Sequence, residues 1–97
     1  MFELIITPSA MDDLRFFKKR EQVLLFDVME QQLHHEPLTE TRNRKALRPN
    51  ELAAWELRVG QLCVFYNVDE AAAKIFVQAV GYKEHNQLFI RGQEHPL

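Results

Sequence analysis

The chain has 97 residues, with 12 Lys plus Arg against 14 Asp plus Glu, and a formal net charge of −2. This length allows one domain with one modest core, and the single cysteine, Cys63, excludes a disulfide framework and a multi-cysteine zinc site. The slightly acidic balance lacks the uniformly basic footprint of many nucleic-acid binders, so any nucleic-acid site must be local.

Targeting signals and metal-ligand patterns are missing from the sequence. No apolar run approaches the roughly 20 residues that cross a bilayer, and residues 1–10 lack the basic start of a secretory signal. His34 and His35 are adjacent, so on a helix they would point about 100° apart and make a poor metal pair. We therefore expect a cytoplasmic protein, one domain over residues 1–97, with no metal, no cofactor and no membrane partner.

The N-terminal third predicts a strand followed by two helices. Residues 2–7 are largely apolar and stop at Pro8, which predicts a strand. Ser9, with Asp12 three residues later, predicts the start of a helix. Residues 21–35 carry a broad apolar stripe at helical spacing, which predicts a second helix. The pattern is typical of a helical hairpin packed on a sheet.

Residues 41–50 form a strongly basic block. The block carries Arg42, Arg44, Lys45 and Arg48 and no acidic residue. It contains turn formers and shows no clear period, so we predict an exposed loop. Unopposed cations in one loop favour an anionic partner, and we take all four as candidate binding residues.

The remainder of the chain predicts strands. Residues 55–59 alternate apolar and charged side chains, and residues 60–61, Gly-Gln, suit a two-residue hairpin turn. Residues 62–68 are almost continuously apolar, which is typical of a central strand. Residues 74–80 return the chain, and Gly81 marks a break before the tail. The order β-α-α-β-β-β predicts an α+β fold.

Three segments resemble a known family. Residues 55–69, WELRVGQLCVFYNVD, resemble the ELRVG…VFY.VD signature of RelE/ParE-superfamily toxins. Residues 79–83, AVGYK, resemble the VG-K segment after that family's last long strand. Residues 42–47, RNRKAL, resemble the basic stretch before the signature. The match covers nearly the whole chain in order, and it implies a RelE-like fold with two N-terminal helices packed on a small antiparallel sheet.

The resemblance implies the toxin of a type II toxin–antitoxin system, with a cognate antitoxin as partner. RelE-like members are metal-independent endoribonucleases that cut mRNA in the ribosomal A site, whereas ParE-like members poison DNA gyrase. We expect a ribosome-associated mRNA interferase. A gyrase inhibitor, or a degenerate toxin that acts as an antitoxin-binding co-repressor subunit, is the alternative, because fold alone does not choose among activities.

Metal-free RNA cleavage needs a base for the ribose 2′-OH, cations for the phosphorane and an acid for the leaving oxygen. A two-residue turn at residues 60–61 would place Glu56 and Arg58 on one sheet face. We predict Glu56 as base, Arg58 and Lys83 as phosphate-directed cations, and His85 as acid. Phe89 is the candidate for stacking on a base.

The sequence departs from well-studied RelE-type nucleases at several positions. Cys63 stands where they carry Arg, Phe89 where they carry Tyr, and Lys83 where they carry Arg. The two catalytic lysines of the best-known member align with Ala54 and Glu56. Cysteine lacks the fork of donors of an arginine, and phenylalanine cannot donate a proton. The sequence therefore predicts an endoribonuclease whose residues depart from the family's catalytic pattern.

Overall fold

The computed structural model describes residues 1–96, in which two helices lie on one face of a seven-stranded sheet. The helices are α1 (Pro8–Arg15) and α2 (Lys19–Leu33). The strands are β1 (Glu3–Ile6), β2 (Arg44–Ala46), β3 (Trp55–Val59), β4 (Leu62–Asp69), β5 (Lys74–Glu84), β6 (Gln87–Ile90) and β7 (Gln93–His95). The predicted α+β class, with two N-terminal helices on a sheet, is confirmed.

The sheet is organised around β5. Its strands follow the order β2-β3-β4-β5-β6-β7 with antiparallel neighbours, and β1 pairs with β5 in parallel. Because β4 occupies one edge of β5, β1 and β6 share the other edge, at Lys74–Val77 and Tyr82–Glu84 respectively. The N-terminal strand is therefore placed beside the longest C-terminal one, and the sheet is mixed.

Alternation along the strands separates the sheet into two faces. The helix face packs against α1 and α2 through a core of fully or almost fully buried residues: Ala10, Leu14, Leu25, Met29, Leu33, Leu57, Val64, Tyr66, Ile75, Val77 and Val80. The open face, opposite the helices, carries a smaller cluster: Ala53, Cys63, Phe65, Ala79, Leu88 and Ile90. Leu47 and Leu52, from the segment between β2 and β3, pack against this second cluster.

Thr7, rather than the predicted Ser9, caps α1. The Thr7 Oγ1 accepts a hydrogen bond from the Ala10 backbone N–H at 3.2 Å and donates one to the Val77 carbonyl at 2.8 Å. Pro8 then occupies the first helical turn, where its missing N–H is harmless and its fixed φ suits the helix. The helix start was predicted two residues too late, because Pro8 was interpreted only as the end of the preceding strand.

Asp13 accepts a backbone hydrogen bond from β5 at a position between the two segments where β1 and β6 pair with that strand. Its Oδ2 accepts a hydrogen bond from the Val80 backbone N–H at 3.0 Å, and Arg91 Nε lies 2.9 Å from its Oδ1. Burial raises the pKa of Asp13, while the Val80 N–H and the Arg91 guanidinium counteract that rise. This carboxylate thus joins α1, β5 and the β6–β7 turn.

Three short strands were not predicted. The basic block contains β2, so the predicted loop was wrong at Arg44–Ala46. The tail forms the β5–β6–β7 meander, and β5 runs through Gly81 instead of breaking there. A Cβ at Gly81 would collide with the Phe89 backbone carbonyl, so the glycine permits close approach of the neighbouring strand.

Candidate functional site

Strand β3 places an acidic side chain on the open face. Its pairing with β4 joins Glu56 to Phe65 and Arg58 to Cys63, which is the register that the predicted two-residue turn at residues 60–61 requires. Gly60 has φ +62° in the two-residue turn, a conformation that glycine adopts without strain. Leu57 turns to the helix face, whereas Glu56 lies on the open face and is 0% exposed. A fully buried carboxylate needs charged or hydrogen-bonding partners nearby.

Three cations surround this carboxylate. Lys83 Nζ lies 3.0 Å from Glu56 Oε2 and 3.2 Å from Oε1, to which it donates a hydrogen bond. Lys45 Nζ is 3.9 Å from Oε1, and Arg58 Nε is 4.0 Å from Oε2. Lys83 extends from β5 across β4 to reach Glu56, while Lys45 comes from the neighbouring strand β2. The arrangement leaves two positive charges uncompensated.

A cleft of about 270 Å³ opens above the carboxylate, and we call it the basic cleft. Its lining residues are Lys45, Ala46, Leu47, Arg48, Pro49, Asn50, Glu56 and Lys83. The Lys45 side chain is 56% exposed and that of Lys83 is 19% exposed, so solvent reaches both ammonium-bearing side chains. Cations from two strands and one loop therefore converge on one concave surface, which favours binding of an anion.

Asn50 shapes one wall of the basic cleft and was not among the residues predicted from the sequence. Its Nδ2 donates to the carbonyls of Arg48 at 2.7 Å and Ala53 at 2.9 Å. Its Oδ1 accepts from the backbone N–H groups of Leu52 at 2.7 Å and Ala53 at 3.1 Å. The Pro49-Asn50 pair was the available signal, because asparagine after proline commonly builds a turn through such side-chain bonds.

Cys63 lies beneath the same cluster and is fully buried. Burial, followed by the neighbouring Glu56 carboxylate, raises the pKa of the Cys63 thiol to about 12. The thiol is thus neutral near pH 7 and does not supply a thiolate nucleophile. Its structural role is that of a small apolar residue in the open-face cluster.

Arg58 is held at the hairpin rather than in the cleft. Its Nη2 donates to the Gly60 carbonyl at 3.1 Å, and its side chain is 36% exposed. Its Nε is buried without a hydrogen-bond partner in the described chain and faces Glu56 Oε2 at 4.0 Å. Arg58 therefore adds positive charge beside Glu56 from the side away from Arg48.

Arg44 does not face the basic cleft. It is 7% exposed on the helix face, where its Nε donates to the Thr39 carbonyl at 3.1 Å and its Nη1 to the Gln32 carbonyl. Its guanidinium is held by these carbonyls on the face opposite the cleft, apart from the other cations predicted to bind RNA. The physical reason is strand alternation in β2, which turns Lys45 to the open face and Arg44 to the other. Arg42 is exposed but precedes β2 and does not line the cleft.

His85 and Phe89 also lie apart from the cluster. His85 occupies the exposed tip of the β5–β6 hairpin with φ +52°, and it does not line the basic cleft. Phe89 pairs with Tyr82 on the helix face, where their rings stack with centroids 5.3 Å apart. The structure thus brings together Glu56, Arg58 and Lys83 with Lys45 and Arg48, and it separates His85 and Phe89 from them.

Within residues 1–96, no group of three or more His, Cys, Asp or Glu residues is placed to hold a metal ion. Neither of the two described helices is long and apolar enough to cross a membrane.

Comparison with solved structures relates this architecture to a known fold. The chain superposes on a chain of the RelBE2 toxin–antitoxin complex from Mycobacterium tuberculosis with a TM-score of 0.73. The chain has the RelE-like fold. The two chains are 22% identical, and the match covers 84% of this chain and 98% of the other. No protein-family model and no curated protein sequence matches the chain.

Proposed function

We propose that the chain is the toxin of a type II toxin–antitoxin pair and acts as a metal-independent, ribosome-associated mRNA endoribonuclease in the cytoplasm. In this proposal residues 1–97 form one toxin domain, and an antitoxin neutralises it. The observation that carries the proposal is the basic cleft, in which Lys45, Arg48 and Lys83 converge from separate elements. The RelE-like fold, which is also found in a toxin–antitoxin complex, supports it.

The shape and charge of the basic cleft suit single-stranded RNA. Its volume of about 270 Å³ lies near the lower bound of small-ligand pockets, so it admits about one nucleotide rather than a duplex. Lysine and arginine side chains bind phosphate oxygens, while Leu47 and Pro49 offer apolar surface for a nucleobase. The proposed substrate is therefore an unpaired strand, such as mRNA on the ribosome.

The chemistry requires charge stabilisation at one phosphate. In metal-free cleavage the ribose 2′-oxygen attacks the adjacent phosphorus and loses its proton to a base. The bond from phosphorus to the 5′-oxygen then breaks, and that oxygen takes a proton from an acid. Lys83 and Lys45, at the cleft surface, are the cations we assign to the extra charge on the phosphorane, and Arg58, 4.0 Å from Glu56 Oε2, adds a further positive charge nearby.

The test is to incubate the purified protein with ribosomes programmed with a defined mRNA and to map the new 5′ ends. We expect codon-phased cuts in the A site, and Lys83→Gln should reduce the cleavage rate by at least about tenfold. Lys19→Gln is the matched control, because Lys19 is an exposed lysine on α2 outside the cleft. Intact mRNA in the presence of folded protein would contradict the proposal.

A second candidate is an antitoxin-binding member of the fold that does not cleave RNA. The full burial of Glu56 favours it, since the predicted base does not reach the surface. Such a protein would copurify with its antitoxin and leave growth unaffected when expressed alone. DNA damage with intact mRNA would instead indicate the gyrase inhibitor that the sequence left open.

A further inference from the structure

Building on the proposed function, we infer that Glu56 is a positioning residue that holds Lys83 in the basic cleft, and that it does not take the proton from the ribose. This reverses the role that the sequence predicts for Glu56. It makes the carboxylate an internal counter-ion of the phosphate site. Lys83 is then the side chain that contacts RNA, and Glu56 acts through it.

The burial of Glu56 argues against a role as general base. A general base must come within about 2.6–3.2 Å of the proton donor, either directly or through one water. Glu56 is 0% exposed and lies in β3 between the neighbouring strands β2 and β4. Lys83 Nζ lies within 3.2 Å of both its oxygens, and Lys45 Nζ lies 3.9 Å from Oε1. A ribose hydroxyl in the cleft therefore meets no exposed oxygen of the carboxylate.

The contact with Glu56 fixes the position of the Lys83 ammonium. Its Nζ lies nearly midway between the two Glu56 oxygens, at 3.0 and 3.2 Å. An ammonium has three N–H donors, and two carboxylate oxygens engage at most two of them. At least one donor therefore stays free for a phosphate oxygen. The long, flexible lysine stem loses much of its rotamer freedom when one end is held in this way, so the site is ordered before RNA binds.

Glu56 also reduces the repulsion among the three neighbouring cations. Lys45, Arg58 and Lys83 lie within 4.0 Å of Glu56 oxygens, and three like charges this close would repel one another without the carboxylate. Glu56 lowers that repulsion yet leaves the cluster positive overall. A buried anion that gathers cations can thus create an anion-binding surface instead of cancelling it.

The first experiment is a double-mutant cycle on cleavage with Glu56→Gln, Lys83→Gln and the double variant. We expect Glu56→Gln to lower kcat about tenfold with the shape of the pH–rate profile unchanged. In the Lys83→Gln background the same substitution should change the rate by less than about twofold, because its effect passes through Lys83. The inference would be overturned if the rising limb of the pH–rate profile disappeared in Glu56→Gln. It would also be overturned if the double variant lost activity by the product of the two single-variant losses.

The second experiment needs no RNA cleavage and separates this inference from the proposed function. Intact protein is treated briefly with an amine-acylating reagent, and modification at each lysine is followed by mass spectrometry. We expect Lys83 to react several-fold faster in Glu56→Gln than in the wild type, with Lys19 unchanged. Glu56→Asp, which keeps the charge but withdraws the carboxylate, should give an intermediate rate and serves if Glu56→Gln does not fold. Equal Lys83 reactivity in all folded variants would contradict the inference, even if the protein cleaves mRNA.

Discussion

The two faces of the sheet are built from the same strands but have opposite chemistry. The helix face buries a continuous apolar core under α1 and α2. The open face combines a smaller apolar cluster with a buried carboxylate and three cations, next to a cleft. Because side chains alternate along a strand, adjacent residues such as Glu56 and Leu57 serve the two faces separately. Stability therefore depends mainly on one face, and the proposed chemistry on the other.

The largest expected effect is the loss of stability when a core residue on the helix face is truncated. Leu57 is 0% exposed, so Leu57→Ala should lower the free energy of unfolding by about 2–5 kcal/mol through lost burial and a residual cavity. Urea denaturation measures this loss. Leu38, which is 37% exposed, provides the control, and Leu38→Ala should change stability by less than about 0.5 kcal/mol. Similar losses for both variants would show that the helix face does not dominate stability.

The next effect separates the faces at neighbouring positions of β2. Arg44→Ala leaves the Gln32 and Thr39 carbonyls without their donor, and we expect it to cost about 1–3 kcal/mol in urea denaturation. Lys45→Ala should leave stability nearly unchanged. In RNA titrations at several salt concentrations, Lys45→Ala should weaken binding and reduce the slope of log K against log salt by about 0.7. Arg44→Ala should preserve that slope, and the opposite pattern would reverse the assignment of the two faces.

The smallest effect concerns pH and the end of α2. His34 Nδ1 lies 2.6 Å from the Phe2 carbonyl oxygen, and its Nε2 lies 2.6 Å from Glu30 Oε2. Both partners are acceptors, so the imidazolium, which donates from both nitrogens, fits better than the neutral ring. The Phe2 carbonyl, followed by Glu30, raises the pKa of His34 above its ordinary 6.5. Folding is therefore coupled to proton uptake at this residue.

The sign of the pH dependence follows from that raised pKa. The stabilisation from His34 is fully present below pH 6.5 and is lost as pH rises through the higher pKa of the folded state. Urea denaturation from pH 5 to 9 should show a stability difference between wild type and His34→Gln that shrinks above about pH 6.5. A constant difference across this range would mean that His34 titrates alike in both states.

The placement of side chains on the sheet could be predicted from the sequence where strand periodicity was decisive. The two-residue turn at Gly60 and the register of β3 with β4 placed Glu56 and Arg58 on one face, as the structure confirms. The face on which Arg44 lies could not be predicted, because a three-residue edge strand has too few positions to show its period. Asn50 was missed because a side chain that bonds to its own loop leaves little pattern in the sequence.

The sequence by itself determined the α+β class, the two helices and the main hairpin, because these depend on local periodicity and on turn residues. Only the tertiary structure decided the surroundings of Glu56. Lys83 meets that carboxylate from 27 residues away, across an intervening strand, and no local pattern encodes such a contact. Tertiary packing likewise put Phe89 and Arg44 on the helix face. Whether a charged or aromatic side chain reaches a ligand or supports the core depends on which face the pairing strands present to the helices.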